Sequence, residues 1–275
     1  MTAEAYRFQV GSVECIAVSD GTHVYDAATY FPGVPPEAAA AELRHSGDTP
    51  EHIVSPYTNL AVRTPDGWVL VDTGLGKLDP ATGHLRDRLQ AEGVQPEDIA
   101  LVVITHAHPD HIGGITDDAG QVLYPNARFV MLLDEWRFWT SPAAQRFPSI
   151  FAEFVEKNLP PITDRVTLYE GETEVAQGIR IIPAPGHTPG HAMVAIRSGH
   201  DECIYSADCA LHPLHLEHPD WQPAVDVDRK RSAESLRRVF GHAAEEGCLV
   251  QAFHFPFPSV GHVSRHGAAW RWEPI

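Results

Sequence analysis

Apolar and polar positions alternate through the first part of the chain in the manner of strands that bury one face. "YRFQVGSVECIAVSDG" (6–21) alternates and is rich in β-branched residues, and "NLAVRTPDGWVLVDTGLG" (59–76) is two apolar runs joined at Pro65-Asp66-Gly67. That tripeptide is a turn signal, because Pro presets φ and Gly accepts the conformations other residues avoid. The period then changes. "HLRDRLQAEG" (84–93) sets Leu85 and Leu89 on one helical face, with Gly93 placed to end it. "DIALVVITH" (98–106) is a continuous apolar run, which suits a strand covered on both faces. "ARFVMLLDEWRFW" (127–139) turns from strand to helix. Phe147, Ile150, Phe151, Phe154, Val155 and Leu159 fall at helical spacing, so a helix is predicted over 147–159.

The second part repeats the first in kind. "RVTLYEG" and "GIRIIPAPG" read as strands, and "HAMVAIRSGHDECIYSADC" as a hairpin around Ser198-Gly199. "RSAESLRRVFGHAAEEG" is an amphipathic helix with Ala233, Leu236, Val239 and Phe240 on one side, and "CLVQAFHF" is a last apolar strand. Two similar halves, joined near Thr163 to Gly178, make one α/β layered domain over residues 1–275. A chain of 275 residues builds a core without disulfides. Its four cysteines contain no C-x-x-C and read as buried, reduced thiols.

Charge narrows the partners. The formal net charge is −17, and the one short basic run is Arg229-Lys230-Arg231, which argues against nucleic acid and anionic membrane. No stretch has the length or apolarity of a membrane span, and the N-terminus lacks the basic-then-apolar pattern of a signal peptide, so a cytoplasmic location is expected.

The chemistry concentrates in "ITHAHPDHIGGI" (104–115), where His106, His108, Asp110 and His111 fall within six positions at the end of an apolar strand. With 17 histidines in the chain, any single one is more often surface or core than ligand; four metal-capable side chains in one turn are not so explained. Imidazole and carboxylate are ligands of borderline divalent ions. Four so close suit two neighbouring ions better than one, and Gly113 and Gly114 would let the backbone pass near the site and start a helix. Further donors stand at other strand ends: His187 in "IIPAPGHTPGH", Asp208 in "CIYSADCA" and His254 in "LVQAFHFPFP".

"THAHPDH", "PGHTPGH", the Asp of "SADC" and the His of "AFHFPF" come in the order shown by metallo-β-lactamase-fold hydrolases, which the chain resembles from "VLVDTG" (69–74) to His254. "HFPFPSVGHV" is similar to the branch of acyl-homoserine lactonases and methyl parathion hydrolase. The resemblance implies a four-layer αβ/βα sandwich with the site between the halves. It implies one ion on His106, His108 and His187, another on Asp110, His111 and His254, and Asp208 bridging them. The ions are zinc first, with manganese, iron or cobalt as alternatives. Asp72 of "DTG" would orient a ligand histidine. Two ions roughly 3.5–4 Å apart would share one water and lower its pKa toward 7, giving a bridging hydroxide that attacks a carbonyl or phosphorus, with Asp110 relaying a proton to the leaving group.

The small-molecule substrate is expected to be a neutral, apolar lactone, carboxylic ester or phosphotriester. Apolar walls are expected from Tyr30, Phe31, Trp136, Phe138, the 147–159 helix with one face able to roof the site, and Phe253, Phe255 and Phe257. Lactonases often carry a tyrosine three residues after the bridging Asp, where this chain has Leu211. His212, His215 and His218 read as mostly solvent-facing, His212 being able to reach the pocket. Other readings are a mononuclear iron persulfide dioxygenase, a glyoxalase II-like thioester hydrolase and a non-catalytic metal-binding protein. Exposed strand edges and the terminal "AAWRWEPI" suit a homodimer.

Overall fold

A computed structural model describes residues 4–275. Two seven-stranded sheets follow one another along the chain. The first holds β1 (Ala5–Val10), β2 (Val13–Tyr25), β3 (Ile53–Thr64), β4 (Gly67–Val71), β5 (Ile99–Val103), β6 (Arg128–Leu132) and β7 (Val166–Tyr169), in that order across the sheet. The second holds β8 (Thr173–Ala176), β9 (Ile179–Pro183), β10 (Ala192–Ser198), β11 (Asp201–Ala207), β12 (Leu249–Ala252), β13 (Val260–His266) and β14 (Ala269–Pro274), again as sequence neighbours. Pairing is antiparallel except at β4–β5, β5–β6, β6–β7 and β11–β12, where a loop or helical crossover returns the chain in the same direction.

The layers follow from the period-2 alternation. In β4, Val69 and Val71 face the second sheet while Leu70 faces outward; in β5, Leu101 and Val103 face inward and Val102 outward. The inward residues meet Val194, Ile196, Cys203 and Tyr205 of the second sheet in a core between the sheets. The outer face of the first sheet is covered by α3 (Leu85–Ala91), α5 (Leu133–Trp139) and α6 (Ser149–Asn158). The outer face of the second is covered by Leu236, Val239 and Phe240 of α8 (Arg229–Glu246). Helix, sheet, sheet, helix is the αβ/βα order, with the sheets meeting between Tyr169 and Thr173 as the two-halves pattern implies.

Some elements differ from the sequence reading. Helices α1 (Ala27–Tyr30) and α2 (Pro36–Leu43) interrupt the strand-rich first part; Pro36 and an alanine run suit a helix, but its sides are too uniform to show a period. Helix α4 (Pro109–Ile112) begins before the glycine pair, with Pro at its first position and Gly113 closing it. Gly113 and Gly114 therefore end a helix rather than start one. Their role in close approach is plain: a Cβ on Gly113 would stand 2.1 Å from the Leu75 carbonyl oxygen, and one on Gly114 2.1 Å from that of Thr73. Helix α7 (Leu214–Glu217) is one turn long. The terminal "AAWRWEPI" forms β14 against β13. Among the described residues, no helix is long and apolar enough to cross a membrane.

Candidate metal centre

Every sequence-derived donor lies where a strand of one sheet or the other runs out. Beyond β5 the extended chain carries His106 and His108 on one side, two apart. His108 then precedes α4, whose first turn presents Asp110 and His111. His187 follows β9, Asp208 follows β11 and His254 lies two residues past β12. Two of these ends are strained. Asp72, directly after β4, has φ 59°, and Ala207, the residue before Asp208, has φ 45°. Non-glycine residues in the left-handed region are uncommon and concentrate at functional sites.

The side chains form two groups of donors, His106, His108, His187 and Asp208, and Asp110, His111, Asp208 and His254, so that Asp208 belongs to both. Its Oδ2 stands 3.1 Å from His187 Nε2, 3.3 Å from His254 Nε2 and 3.6 Å from His106 Nε2, and its Oδ1 3.2 Å from His111 Nε2. His254 Nε2 and Asp110 Oδ2 are 3.5 Å apart, and His187 Nε2 lies 2.9 Å from His108 Nδ1. All but Asp110 are buried.

The arrangement fits divalent cations. His106 Nε2, His111 Nε2 and Asp208 Oδ1 are buried without a hydrogen-bond partner, a costly state for polar atoms unless something else satisfies them. The Nε2 of His111 is near Asp208 Oδ1 yet not aligned to donate to it, as expected of two donors aimed at a common point. Burial, with the neighbouring imidazoles, holds His106 and His108 well below the usual histidine pKa, so they are neutral with lone pairs available. Burial opposes charge on Asp208 too, but His111, His254, His106 and His187 outweigh it and keep the carboxyl ionised. For His111 and His187 burial is likewise overcome, chiefly by Asp208, which raises His187 to about 10. Metal binding to those two rings would release protons.

Surrounding groups fix the rings. Asp72 accepts from His111 Nδ1 at 2.8 Å, from Thr105 N and Oγ1 at 2.8 Å each, and from Tyr205 Oη at 3.0 Å. Asp226 pairs with His187 Nδ1 at 2.7 Å. In both cases the Nδ1 proton is held by the carboxylate, so the proton released on metal binding is the one on Nε2, whose lone pair then faces the centre. Ser55 Oγ is 2.9 Å from His254 Nδ1 and accepts from Tyr30 Oη at 2.6 Å. His191, the second histidine of "PGHTPGH", accepts from the Asp208 backbone N–H at Nε2 and is held neutral, near pKa 3, by burial.

A family model described as the metallo-beta-lactamase superfamily matches residues 55–245. The chain belongs to this superfamily. Among relatives, it is 31% identical over 182 residues to a probable metallo-hydrolase of Mycobacterium tuberculosis, a match that covers 56% of each protein. The chain thus spans little more than half the length of that relative. It is 26% identical to an N-acyl homoserine lactonase of Bacillus sp over 69% of this chain and 82% of the lactonase. Among solved structures, AidC, a dizinc quorum-quenching lactonase in complex with a product, superposes with a TM-score of 0.90 at 26% identity, covering 98% of this chain and 97% of AidC. The metallo-beta-lactamase sandwich is therefore shared nearly end to end.

Other sequence expectations divide. Tyr30 and Phe151 line the cavity over the donors; Phe151 packs edge-on at 5.0 Å from the His108 ring, and Ile150 beside it completes a partial roof from α6. The opposite side of α6 packs as core through Val155. Phe253 and Phe255 are core residues, and Trp136 and Phe138 pack on the outer layer of the first sheet, so these four form no wall. His212 and His215 are buried rather than solvent-facing. His212 lies outside the cavity lining, its Nδ1 accepting from the Leu214 backbone and its Nε2 3.5 Å from Asp48. His218, partly exposed, stacks on Trp221.

His215 donates from Nε2 to the Tyr30 carbonyl and accepts the Leu211 and His212 N–H groups at Nδ1, a geometry that requires the neutral ring. Burial lowers its pKa to about 3 from 6.5. The unfolded chain then binds a proton that the folded one refuses between those values. The contribution is whole above pH 6.5 and is lost as pH falls toward 3, by up to about 1.4 kcal/mol per pH unit. Metal-free His215→Gln is expected to lose stability less steeply than the parent between pH 6 and pH 4, measured by urea unfolding. Equal slopes would contradict this.

Glu135 was not legible as a site residue. Wholly buried on α5, it accepts from Ala107 N and Trp139 Nε1 at one oxygen and from Thr188 Oγ1 and Gly190 N at the other. It thereby ties the loop of His106 and His108 to the loop of His187. Glu135→Ala strands these donors, each costing about 1–3 kcal/mol when left unmet. A loss of at least about 3 kcal/mol in denaturant unfolding is expected; a loss below about 1 kcal/mol would show that the tie is dispensable.

Proposed function

We propose that the chain is a hydrolase holding two divalent ions, zinc foremost, and that its substrate is a neutral lactone or ester with an apolar chain. In this reading His106, His108, His187 and Asp208 hold one ion, and Asp110, His111, His254 and Asp208 the other. One observation carries it: the two donor groups sharing Asp208 border a cavity of about 430 Å³ whose lining contains no lysine or arginine. Tyr25, Tyr30, Tyr57, Leu75, Leu78 and Leu211 are among its walls. Such a space favours an uncharged acyl chain and offers no lysine or arginine to pair with a carboxylate or phosphate monoester tail. Likeness to lactonases over most of the chain supports the same substrate class.

Ions bound there would supply Lewis acidity and an activated water. The chain's own residues do the rest. Asp72 and Asp226 lock the tautomers of His111 and His187. Asp110, the one donor partly open to the cavity, is placed to carry a proton to a departing alkoxide. Tyr25 and Tyr57 share a 2.6 Å hydroxyl contact in the wall, and burial keeps both phenols protonated, so one hydroxyl donates to the other and the second is free to donate toward a substrate oxygen.

Leu211 in place of a lactonase tyrosine favours a second reading, an aryl ester or phosphotriester as substrate. Proton release by zinc-loaded protein on lactones, aryl esters and phosphotriesters separates them. Turnover of lactones at least about tenfold above the other classes in kcat/KM is expected. Turnover of none, with metal bound, would overturn the hydrolase reading in favour of a redox or non-catalytic one.

A further inference from the structure

Three metal-capable side chains with no part in this centre meet at the far end of the second sheet. Glu202 lies near the start of β11, six residues and so about 20 Å along the strand from Asp208. His242 is on the last turns of α8, and Cys248 follows the turn into β12. Glu202 Oε2 is 3.1 Å from His242 Nε2 and 3.3 Å from Cys248 Sγ. One donor atom from each residue lies within 4.8 Å of the others.

We propose that Glu202, His242 and Cys248 form a separate binding site for a borderline divalent cation, Zn²⁺ above all, that clips the end of α8 to β11 and β12. This inference does not depend on the hydrolase reading. Tetrahedral zinc with ligands at about 2.0–2.3 Å sets its donors roughly 3.3–3.7 Å apart, so the two measured separations need only a few tenths of an ångström of adjustment. The donors are placed by backbone. Gly247, with φ 67°, caps α8 in the left-handed conformation and turns Cys248 back under the helix. Arg197 Nε holds Glu202 Oε1 at 2.6 Å, leaving Oε2 for the ion.

Charge and access agree with this. A carboxylate and a thiolate neutralise a dication, and imidazole completes a mixed O, N and S set of the kind zinc accepts. Burial, then Glu202, pushes the Cys248 thiol up to about 12, so the thiolate forms only with a cation to stabilise it. On binding, Sγ gives its proton to solvent, and the His242 proton resides on Nδ1 while Nε2 ligates. Cys248 is buried but the His242 side chain is 41% exposed, which leaves a way in for the ion and room for a water as fourth ligand.

Cobalt(II) added to the metal-free full chain is the test, because the His/Asp centre contains no sulfur donor. A thiolate-to-cobalt charge-transfer band in the near ultraviolet is expected. It should vanish in Cys248→Ser and persist in Asp208→Asn, and zinc content should fall by one ion per chain in Cys248→Ser. His242→Ala, at a half-exposed position, should weaken cobalt binding at this band by more than about tenfold. No sulfur band, a band that survives Cys248→Ser, or unchanged affinity in His242→Ala would overturn the proposal. The His242 variant decides it even where Cys248→Ser does not fold.

Discussion

Asp208→Asn is expected to lower zinc affinity by about 10²–10⁴-fold and to abolish measurable hydrolysis. The side chain keeps its shape but loses the one negative charge that faces four buried imidazoles at 3.1–3.6 Å. Removing a partner from a buried, paired set of charges costs about 3–5 kcal/mol, and each 1.4 kcal/mol is tenfold in affinity. Asp208 belongs to none of the apolar cores, so the metal-free variant should still fold. Calorimetric titration with zinc, beside circular dichroism of the metal-free chain, separates the two effects. Parental zinc affinity in the folded variant would contradict the assignment of Asp208 as the shared ligand.

Asp72→Asn is expected to reduce zinc affinity by about 10–100-fold while touching no ion itself. Asn tolerates the φ of 59° at this position, so the backbone should survive. The hydrogen bonds cannot. The carboxylate accepts from His111, from Thr105 twice and from Tyr205, and an amide offers one acceptor oxygen and a donor NH₂. With the NH₂ facing His111, that ring must move its proton from Nδ1 to Nε2, where it blocks the lone pair meant for the ion. With the NH₂ facing Thr105, a buried N–H is left unmet at a cost of about 1–3 kcal/mol. Zinc titration of Asp72→Asn reads the first effect and denaturant unfolding the second. Unchanged values in both would reduce Asp72 to a turn-forming residue.

The layers were legible because the code for them is local. Val69, Leu70 and Val71, and Leu101, Val102 and Val103, sort to opposite faces of a sheet by the two-residue period alone. The donors were legible for a related reason: strands that end in His or Asp are short signals, and His106, His108, Asp110 and His111 stand in a single turn. The supports were not. Glu135 reaches a loop 28 residues away, Asp226 a histidine 39 residues away and Ser55 a histidine 199 residues away. Nothing in the neighbours of a glutamate on "LLDEWRFW" shows that four donors will converge on it. The burial of His212 and His215 was hidden in the same way, since it depends on Tyr30 and Phe31 arriving from the other end of the chain. Asp72 is the exception, readable through its resemblance to a family motif rather than through any local pattern.

In the proposed centre one carboxylate organises two ions at the meeting of two sheets. Anomalous scattering at the zinc edge from crystals of the zinc-loaded chain tests it most directly. Two peaks at this centre are expected, one among His106, His108 and His187 and one among Asp110, His111 and His254, with Asp208 between them. A single peak there, or two peaks with Asp208 turned away from both, would contradict it.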